Sequence, residues 1–267
     1  MRILLTNDDG ISSPGMNMLA KALRENGHRV FVVAPDSNRS GNSHSISFLN
    51  RPCKLTEVEK DTWTCSGTPV DCVVIALLGG IGEICIAARD GKISTENAPD
   101  LVLSGINIGA NLGTDIVYSG TAAAARQGSL YGIPSVALSL IENKHVWHWE
   151  PVISYIMEHL TEIISFWKAG TFVNVNFPNN GEKPSSLAYS FPSLRYYNDS
   201  IINYTAPGGG LYCFAGGGKT TSKGENGQPE AGSDWAEVLN NNAALSVVLS
   251  QPAAVPRTAD MGGISQG

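Results

Sequence analysis

The chain opens with Met1-Arg-Ile-Leu-Leu-Thr-Asn-Asp-Asp-Gly10, a stretch in which two adjacent carboxylates follow a short apolar run. Arg2 to Thr6 predict a buried β-strand, and Gly10 permits a sharp bend after it. A serine and a proline at positions 13 and 14 have the pattern of a helix N-cap followed by proline at the first helical position. Asp8 and Asp9 are therefore predicted to lie in a strand-to-helix loop. Such loops lie at the carboxyl ends of the strands in open α/β sheets, where ligands bind.

Strand and helix patterns alternate through the first 177 residues. Apolar residues at positions 16, 19, 20 and 23 have helical spacing, and the β-rich run from Arg29 to Ala34 follows Gly27. Thr68 and Asp71 have a spacing like that of a capping box at the start of another helix. The remaining predictions are strands at 101–103, 136–140 and 172–176 and helices at 120–128 and 151–167. This alternation predicts a three-layer α/β sandwich with a mainly parallel sheet.

The character of the sequence changes after Pro178. Residues 178–235 are rich in Gly, Pro, Asn, Ser and Tyr, and glycine triplets bracket the strand-like run from Leu211 to Ala215. We divide the chain into a catalytic domain at 1–177, an oligomerisation extension with a closing segment at 178–261, and a tail at 262–267 that we expect to be disordered. Tyr196, Tyr197 and Tyr204 either stack on a base or pack in an interface, and the sequence does not decide between these roles.

Composition excludes several classes of function. The net charge of -6 and the pI near 5.4 argue against binding of long nucleic acids, so we expect a small substrate. No secretory signal is expected, since two aspartates fall within the first ten residues, and the longest apolar stretch, 73–81, is too short to cross a membrane. The five cysteines are odd in number and form no C-x-x-C pair, which favours reduced thiols. We expect a cytoplasmic protein.

Three further loops follow predicted strands and contain small polar residues. Residues 34–44 include Arg39, Ser40 and Gly41, and residues 104–115 include Asn107 and Asn111, whose amide oxygens can bind a cation. Residues 118–122 begin an alanine-rich helix, and free N–H groups at a helix N-terminus bind phosphate. Paired carboxylates suit Mg²⁺ or Mn²⁺, although each of these segments alone also fits ordinary turn chemistry.

Four segments together resemble the SurE (survival protein E) family of metal-dependent nucleotidases: 7–10, 38–41, 104–107 with Asn111, and 118–121. Residues 67–72 are also similar to that family, so the resemblance covers roughly residues 1–140. It implies a Rossmann-like α/β domain with a C-terminal oligomerisation extension, assembled as a homodimer or homotetramer. It also implies one divalent cation per subunit and removal of phosphate from nucleoside 5′-monophosphates, with 3′-monophosphates and short polyphosphate as further substrates.

The resemblance also implies roles for individual residues. The metal ligands are Asp8, Asp9, Ser40 and Asn107, and the same two aspartates are the catalytic residues. The positions that line the phosphate are Asn111, Ser119, Gly120 and Thr121, to which we add Arg39 and Gly41 from the neighbouring loop.

The sequence departs from the family pattern in two places. A long insertion lies between Leu78 and Pro99, and we expect it to leave the site loops intact. After residues 232–234, we expect an asparagine-rich run at 240–242 to replace the usual closing strand, ahead of the apolar residues 245–249. The second departure bears on the assembly of the oligomer.

The chemistry follows from the charge of the substrate. A phosphate monoester dianion repels nucleophiles, so a cation held by two carboxylates, a hydroxyl and an amide has to neutralise it. We favour attack by a water that the metal activates. Attack by an aspartate carboxylate uses the same residues and stays open.

Rival interpretations begin from the same two carboxylates. A receiver-like signalling domain needs a phosphoacceptor aspartate at the end of the central strand, where this sequence has Ser104-Gly-Ile-Asn107. A phosphatase of the haloacid-dehalogenase type needs an Asp-x-Asp motif, and the aspartates here are contiguous. A non-catalytic regulatory module that binds metal or nucleotide stays open as the alternative to an enzyme.

Overall fold

Strands and helices alternate along the computed structural model, which describes residues 1–89, 92–94, 97–216, 220–222 and 227–253. The strands are β1 (Arg2–Thr6), β2 (Arg29–Pro35), β3 (Leu55–Glu59), β4 (Thr62–Cys65), β5 (Ala87–Arg89), β6 (Lys92–Ser94), β7 (Leu101–Ile108), β8 (Ser135–Leu140), β9 (Thr171–Phe177), β10 (Leu187–Tyr189), β11 (Arg195–Tyr197), β12 (Ser200–Thr205), β13 (Leu211–Gly216), β14 (Thr220–Ser222) and β15 (Ala243–Leu249). The helices are α1 (Pro14–Glu25), α2 (Pro69–Leu78), α3 (Gly120–Leu130), α4 (Trp149–Ser165) and α5 (Asp234–Leu239), and a 3₁₀ helix spans Gly113–Val117.

The largest sheet in the described part of the chain has the strand order β10-β15-β9-β8-β7-β1-β2-β4-β3. The six strands from β9 to β4 are parallel to one another, whereas β15 and β3 pair antiparallel to their neighbours β9 and β4. Strand β1 pairs with β2 on one side and with β7 on the other. The carboxyl ends of β1 and β7 therefore form a topological switch point, the usual position of a ligand site in an open α/β sheet.

Helices cover both faces of this sheet. Ile3 and Leu5 of β1 pack in one core with α1 and α4, while Leu4 packs in a second core with α2. Successive side chains of a strand point to opposite faces of its sheet, and helices cover both faces here, so all three residues are fully buried. The predicted three-layer α/β class with a mainly parallel sheet is confirmed.

Most of the predicted elements are present, with boundaries that differ by one or two residues. Two predictions were wrong. Residues 104–108 are the end of β7 rather than a loop, because this strand continues between β1 and β8 and its Ser104 side chain is fully buried. The closing strand is not replaced, since the asparagine run at 240–242 is the turn after α5 and β15 follows it and pairs with β9.

The extension adds two small antiparallel pairs, β11 with β14 and β12 with β13. Within the insertion at 78–99, β5 pairs with β6, and Ile84 and Ile86 are buried in the second core. The predicted tail at 262–267 lies outside the described residues. None of the helices in the described ranges combines the length and apolar character needed to cross a bilayer.

Candidate active site

A cleft of about 480 Å³ opens at the carboxyl ends of β1 and β7. Its lining includes six residues that the sequence singled out as metal or phosphate ligands: Asp8, Ser40, Gly41, Asn107, Asn111 and Ser119. The remaining lining residues are Ile108, Gly109, Ala110, Asp115, Tyr118, Tyr197 and Asp199, and Asp9 is not among them. The structure thus brings together loops that are separated by more than sixty residues in the sequence.

Asp8 is held by the N-terminus of α3. Its Oδ1 accepts a hydrogen bond from Thr121 Oγ1 at 2.6 Å, and its Oδ2 accepts one from Thr121 N at 3.1 Å. Gly120 is required beside it, because a Cβ at that position would lie 2.9 Å from Asp8 Cβ and Oδ2. The positive end of the helix dipole therefore faces this carboxylate. Burial nevertheless raises the pKa of Asp8 above its usual value, against the effect of these hydrogen bonds.

Asp9 faces the last residues of β7. Its Oδ2 accepts a hydrogen bond from Ile108 N at 2.9 Å. Burial raises the pKa of Asp9 to about 6, and the neighbouring charge of Asp8 adds to this effect. Within the described residues, no lysine, arginine or histidine forms an ion pair with Asp8 or Asp9. The fold therefore concentrates negative charge in the cleft.

Asn107 and Asn111 are fixed by hydrogen bonds of their own. Asn107 Nδ2 donates to Gly109 O at 2.9 Å, and Asn107 Oδ1 lies 3.5 Å from Thr121 Oγ1, on the side of Asp8. Asn111 Nδ2 donates to Ser139 Oγ at 2.8 Å, and the loop backbone at Asn111 pairs with two asparagine side chains of β9, Asn174 and Asn176. This buried network holds the loop after β7 in one conformation. No local pattern in the sequence predicts this network of asparagine side chains.

The helix start at 119–121 has its own partners. Ser119 Oγ accepts a hydrogen bond from Ala122 N at 2.9 Å as the N-cap of α3, and Thr121 contacts Asp8 as described above. Ser119 lines the cleft, whereas Thr121 is fully buried behind Asp8. Thr121 is therefore placed to orient Asp8 and Ser119 is placed to meet a ligand.

The loop after β2 contributes Ser40 and Gly41 to the cleft lining, but not the guanidinium of Arg39. Arg39 N donates to Asp8 O at 2.6 Å, which joins the two loops, while its Nη2 donates to Asp36 Oδ1 at 2.9 Å and to Ser66 O at 3.2 Å. Because its charge is paired with Asp36, the structure gives Arg39 a role in holding the loop.

Residues 67–72 stabilise the same loop. Asp71 is fully buried and completes a capping box with Thr68 at the start of α2, as the spacing predicted. The same carboxylate accepts hydrogen bonds from the backbone N–H of Ser47 at 3.0 Å and from its hydroxyl. Gly67 is required here, since a Cβ would lie 2.5 Å from Asp71 Oδ2. The segment therefore fixes the far end of the loop that carries Ser40.

Sequence reasoning missed four residues of the cleft, Asp115, Tyr118, Tyr197 and Asp199. The first two lie in the 3₁₀ helix and just after it, next to the predicted phosphate segment. Tyr197 and Asp199 come from the extension; the sequence offered base stacking as one of two roles for Tyr197 and gave no signal for Asp199. Their position depends on tertiary contacts across about eighty residues, which no local pattern reports.

The raised pKa of Asp9 gives a testable expectation about stability. A folded-state value of about 6 lies above the ordinary 3.8, so the stability gained from protonation is complete below pH 3.8 and is lost as the pH rises through 6. Asp9→Asn mimics the neutral acid and keeps an acceptor for Ile108 N. We expect it to raise the thermal midpoint above pH 7, in the presence of chelator, by about 2 to 4 °C, the shift that corresponds to roughly 1 kcal/mol in a chain of this size.

The matched control is Asp61→Asn, which removes the same charge at the turn between β3 and β4. Asp61 has φ 58°, a conformation that asparagine adopts readily. Differential scanning calorimetry at pH 4 and pH 8 separates the two variants. An Asp9→Asn midpoint no higher than that of the wild type at pH 8 would contradict the expectation.

The chain is similar in sequence to known proteins over most of its length. The family model described as "Survival protein SurE" matches residues 3–198. A protein of Xanthomonas campestris pv. campestris (strain B100) named 5′-nucleotidase SurE is 41% identical over 181 residues, which are 67% of this chain and 64% of that relative. A protein of Stenotrophomonas maltophilia (strain R551-3) with the same name is 42% identical over 181 residues, with the same two shares. The chain thus spans less than two thirds of the length of these relatives.

The fold is also similar to a solved structure. The crystal structure of the SurE protein from Aquifex aeolicus matches this chain with a TM-score of 0.74 and 32% sequence identity, over 95% of each chain. The similarity therefore includes the extension as well as the parallel sheet.

Proposed function

The chain belongs to the SurE family, and from this premise we propose that it is a divalent-metal-dependent phosphatase that hydrolyses nucleoside 5′-monophosphates to nucleoside and phosphate. Nucleoside 3′-monophosphates and short polyphosphate are included as further substrates. The observation that carries the proposal is the carboxylate of Asp8 in a cleft that also presents the N-cap of α3, with the Asp9 carboxylate next to it in the sequence and bonded to Ile108 of the cleft lining.

The residues present fit one divalent cation per subunit. In the described ranges, no three His, Cys, Asp or Glu side chains lie together as a metal site. The proposed metal ligands are all oxygen atoms, from three kinds of side chain: the carboxylates of Asp8 and Asp9, the hydroxyl of Ser40 and the amide oxygen of Asn107. This set suits hard cations such as Mg²⁺ and Mn²⁺. The buried carboxylate of Asp8 and the partly buried carboxylate of Asp9 have no basic partner in the described residues, which also supports the proposal, because an uncompensated buried charge is costly.

When bound, the cation would supply positive charge that neutralises phosphate oxygens and favours the ionised form of water. The chain's own groups do the rest. The hydrogen bonds from Thr121 fix the direction of Asp8, and the hydrogen bond from Ile108 N fixes Asp9. Ser119 at the helix start and the amide of Asn111 face the cleft, where they can bind the remaining phosphate oxygens. In this proposal, Arg39 stabilises the loop that carries Ser40 and Gly41.

The proposal predicts a preference for monoesters. A phosphate site formed by a helix start, small side chains and one cation accepts a terminal dianion, whereas a diester carries one charge and a second bulky group. We expect purified protein with Mn²⁺ to release phosphate from nucleoside 5′- and 3′-monophosphates and to leave bis(p-nitrophenyl) phosphate essentially intact. Phosphate release measured over a panel of both classes tests this. Faster cleavage of the diester would contradict it, and no turnover of any monoester would favour the non-catalytic binding module.

We also propose that the protein is a homo-oligomer, as a dimer or a tetramer, joined through residues 178–240. One face of the β12–β13 hairpin carries Ile202, Tyr204, Tyr212 and Phe214, each about half exposed. An apolar face of this kind is typical of an interface between subunits.

A cytoplasmic location is part of the same proposal. The five cysteines are all free thiols, which supports a reducing compartment.

A further inference from the structure

The extension reaches the cleft through β11 and the turn after it. Tyr197 is the last residue of β11, and both Tyr197 and Asp199 line the same cleft as Asp8 and Ser40. Tyr197 also lines a neighbouring cavity of about 380 Å³. Neither residue contributes to the proposed binding of metal or phosphate, so their place in the cleft calls for another role.

The position of β11 is fixed by contacts with the 3₁₀ helix. Arg195 Nη1 donates to Asp115 Oδ2, and both side chains are largely buried, with 13% and 19% of their surface exposed. The Arg195 backbone N–H donates to Thr114 Oγ1 at 3.0 Å, and the guanidinium lies 4.7 Å from the centre of the Trp235 ring. Removal of either partner of such a pair would leave an uncompensated buried charge, which is strongly destabilising, so the pair holds β11 against the 3₁₀ helix.

A second set of contacts supports the same junction. Asp234 is fully buried and accepts hydrogen bonds from Gly113 N at 2.7 Å and from Ser193 N at 2.9 Å. Gly113 has φ +52°, and a Cβ there would lie 1.8 Å from Ser193 O. The extension is therefore seated directly on the segment that leads to Ser119, and β11, which ends at Tyr197, is held at a defined place beside the cleft.

The volume of the cleft exceeds what a phosphate group needs. Sites for small organic ligands have volumes of about 300 to 1,000 Å³, a range that includes this cleft. A carboxylate accepts hydrogen bonds and repels phosphate, so Asp199 has to meet a part of the substrate that carries donors and no negative charge. The ring of Tyr197, which lines the same cleft, offers a face for stacking.

We propose that Tyr197 and Asp199 form the nucleoside subsite of the cleft, in which Tyr197 stacks on the base and Asp199 accepts hydrogen bonds from the ribose hydroxyls. This inference rests on the proposed function and extends it to the substrate's leaving group. Because every base has a π-face, a subsite of this kind discriminates little between bases. Arg195 and Asp115 are positioning residues, since they act through β11.

The chain offers a matched control for Tyr197. Tyr196 precedes it in β11, and successive side chains of a strand point to opposite faces. Both tyrosines are exposed to a comparable degree, 47% for Tyr196 and 37% for Tyr197, but only Tyr197 lines the cleft in the described structure. Tyr196→Leu and Tyr197→Leu therefore make the same chemical change on the two faces of one strand.

The test is steady-state kinetics with three monoesters: AMP, ribose 5-phosphate and 2′,3′-dideoxyadenosine 5′-monophosphate. Tyr197→Leu is expected to raise KM for AMP about tenfold with little change in kcat, because base stacking is worth a factor of this order, and to leave ribose 5-phosphate unaffected. Tyr197→Phe should restore the wild-type KM, and Tyr196→Leu should not change it. Asp199→Ala should raise KM for AMP and ribose 5-phosphate and spare the dideoxy substrate.

The proposal would be overturned if Tyr196→Leu and Tyr197→Leu had equal effects, if Tyr197→Leu raised KM for ribose 5-phosphate as much as for AMP, or if neither KM moved. Adenosine binding, measured by isothermal titration calorimetry, tests the subsite without turnover. Wild type should bind adenosine about tenfold more tightly than Tyr197→Leu. A wild type that binds adenosine but turns over no monoester would contradict the proposed function alone, and a wild type that turns over AMP with equal adenosine affinity in both proteins would contradict the subsite alone.

Discussion

Replacing Asp8 by asparagine is expected to lower kcat/KM for a nucleoside monophosphate by about a thousandfold, the scale seen when a group that stabilises charge in the transition state is lost. Asparagine has nearly the same shape and keeps one oxygen to accept a hydrogen bond from Thr121. It removes the negative charge that the proposed cation requires. The effect should therefore fall on activity, while the far-UV circular dichroism spectrum stays that of the wild type.

The control is again Asp61→Asn, which changes the net charge equally and lies outside the cleft lining. Its kcat/KM should stay within about twofold of the wild type, since a partly exposed charge outside the cleft is screened at ordinary ionic strength. An Asp8→Asn protein with more than a tenth of the wild-type activity would refute the assignment of Asp8.

The second large effect is expected at the β12–β13 hairpin. Phe214→Glu places a charge on the face formed with Ile202, Tyr204 and Tyr212, and burial of an unpaired charge in an interface costs several kcal/mol, or about a hundredfold or more in the dissociation constant. At low micromolar concentration, we expect the wild type to be an oligomer and this variant to be a 28.3 kDa monomer in light scattering.

Asn203→Glu adds the same charge to the opposite face of the hairpin and is expected to remain oligomeric. A monomeric wild type would contradict the proposed assembly. An oligomeric Phe214→Glu variant would show that the aromatic face is not where the subunits meet.

The amino-acid sequence predicted the strand-to-helix loops of the site because their signals are local. An apolar run followed by Asp8, the helix start near Ser119 and the capping box at Thr68 each depend on a few neighbouring residues, and the structure contains each of them. The family resemblance then grouped segments that local patterns leave separate.

The parts that could not be predicted depend on tertiary contacts. The asparagine run at 240–242 looked like a break, whereas the following strand is stabilised by pairing with β9 and lies partly in the core. The pairing of the Arg39 guanidinium with Asp36 and with Ser66 O likewise depends on the folded loop and has no signal in the local sequence. Tyr197 and Asp199 reach the cleft through contacts of the extension with the 3₁₀ helix, such as the pair of Arg195 with Asp115, eighty residues earlier in the sequence.

The most direct test of the central claim is phosphate release from a nucleoside 5′-monophosphate by the purified wild-type protein, before chelation, after removal of divalent cations with EDTA, and after Mn²⁺ is added back. We expect release before chelation, its loss in EDTA and its return with Mn²⁺, because the carboxylates of Asp8 and Asp9 at the end of β1 need a cation to face a phosphate dianion. Release that continues unchanged in excess EDTA, or no release at any stage, would contradict the account.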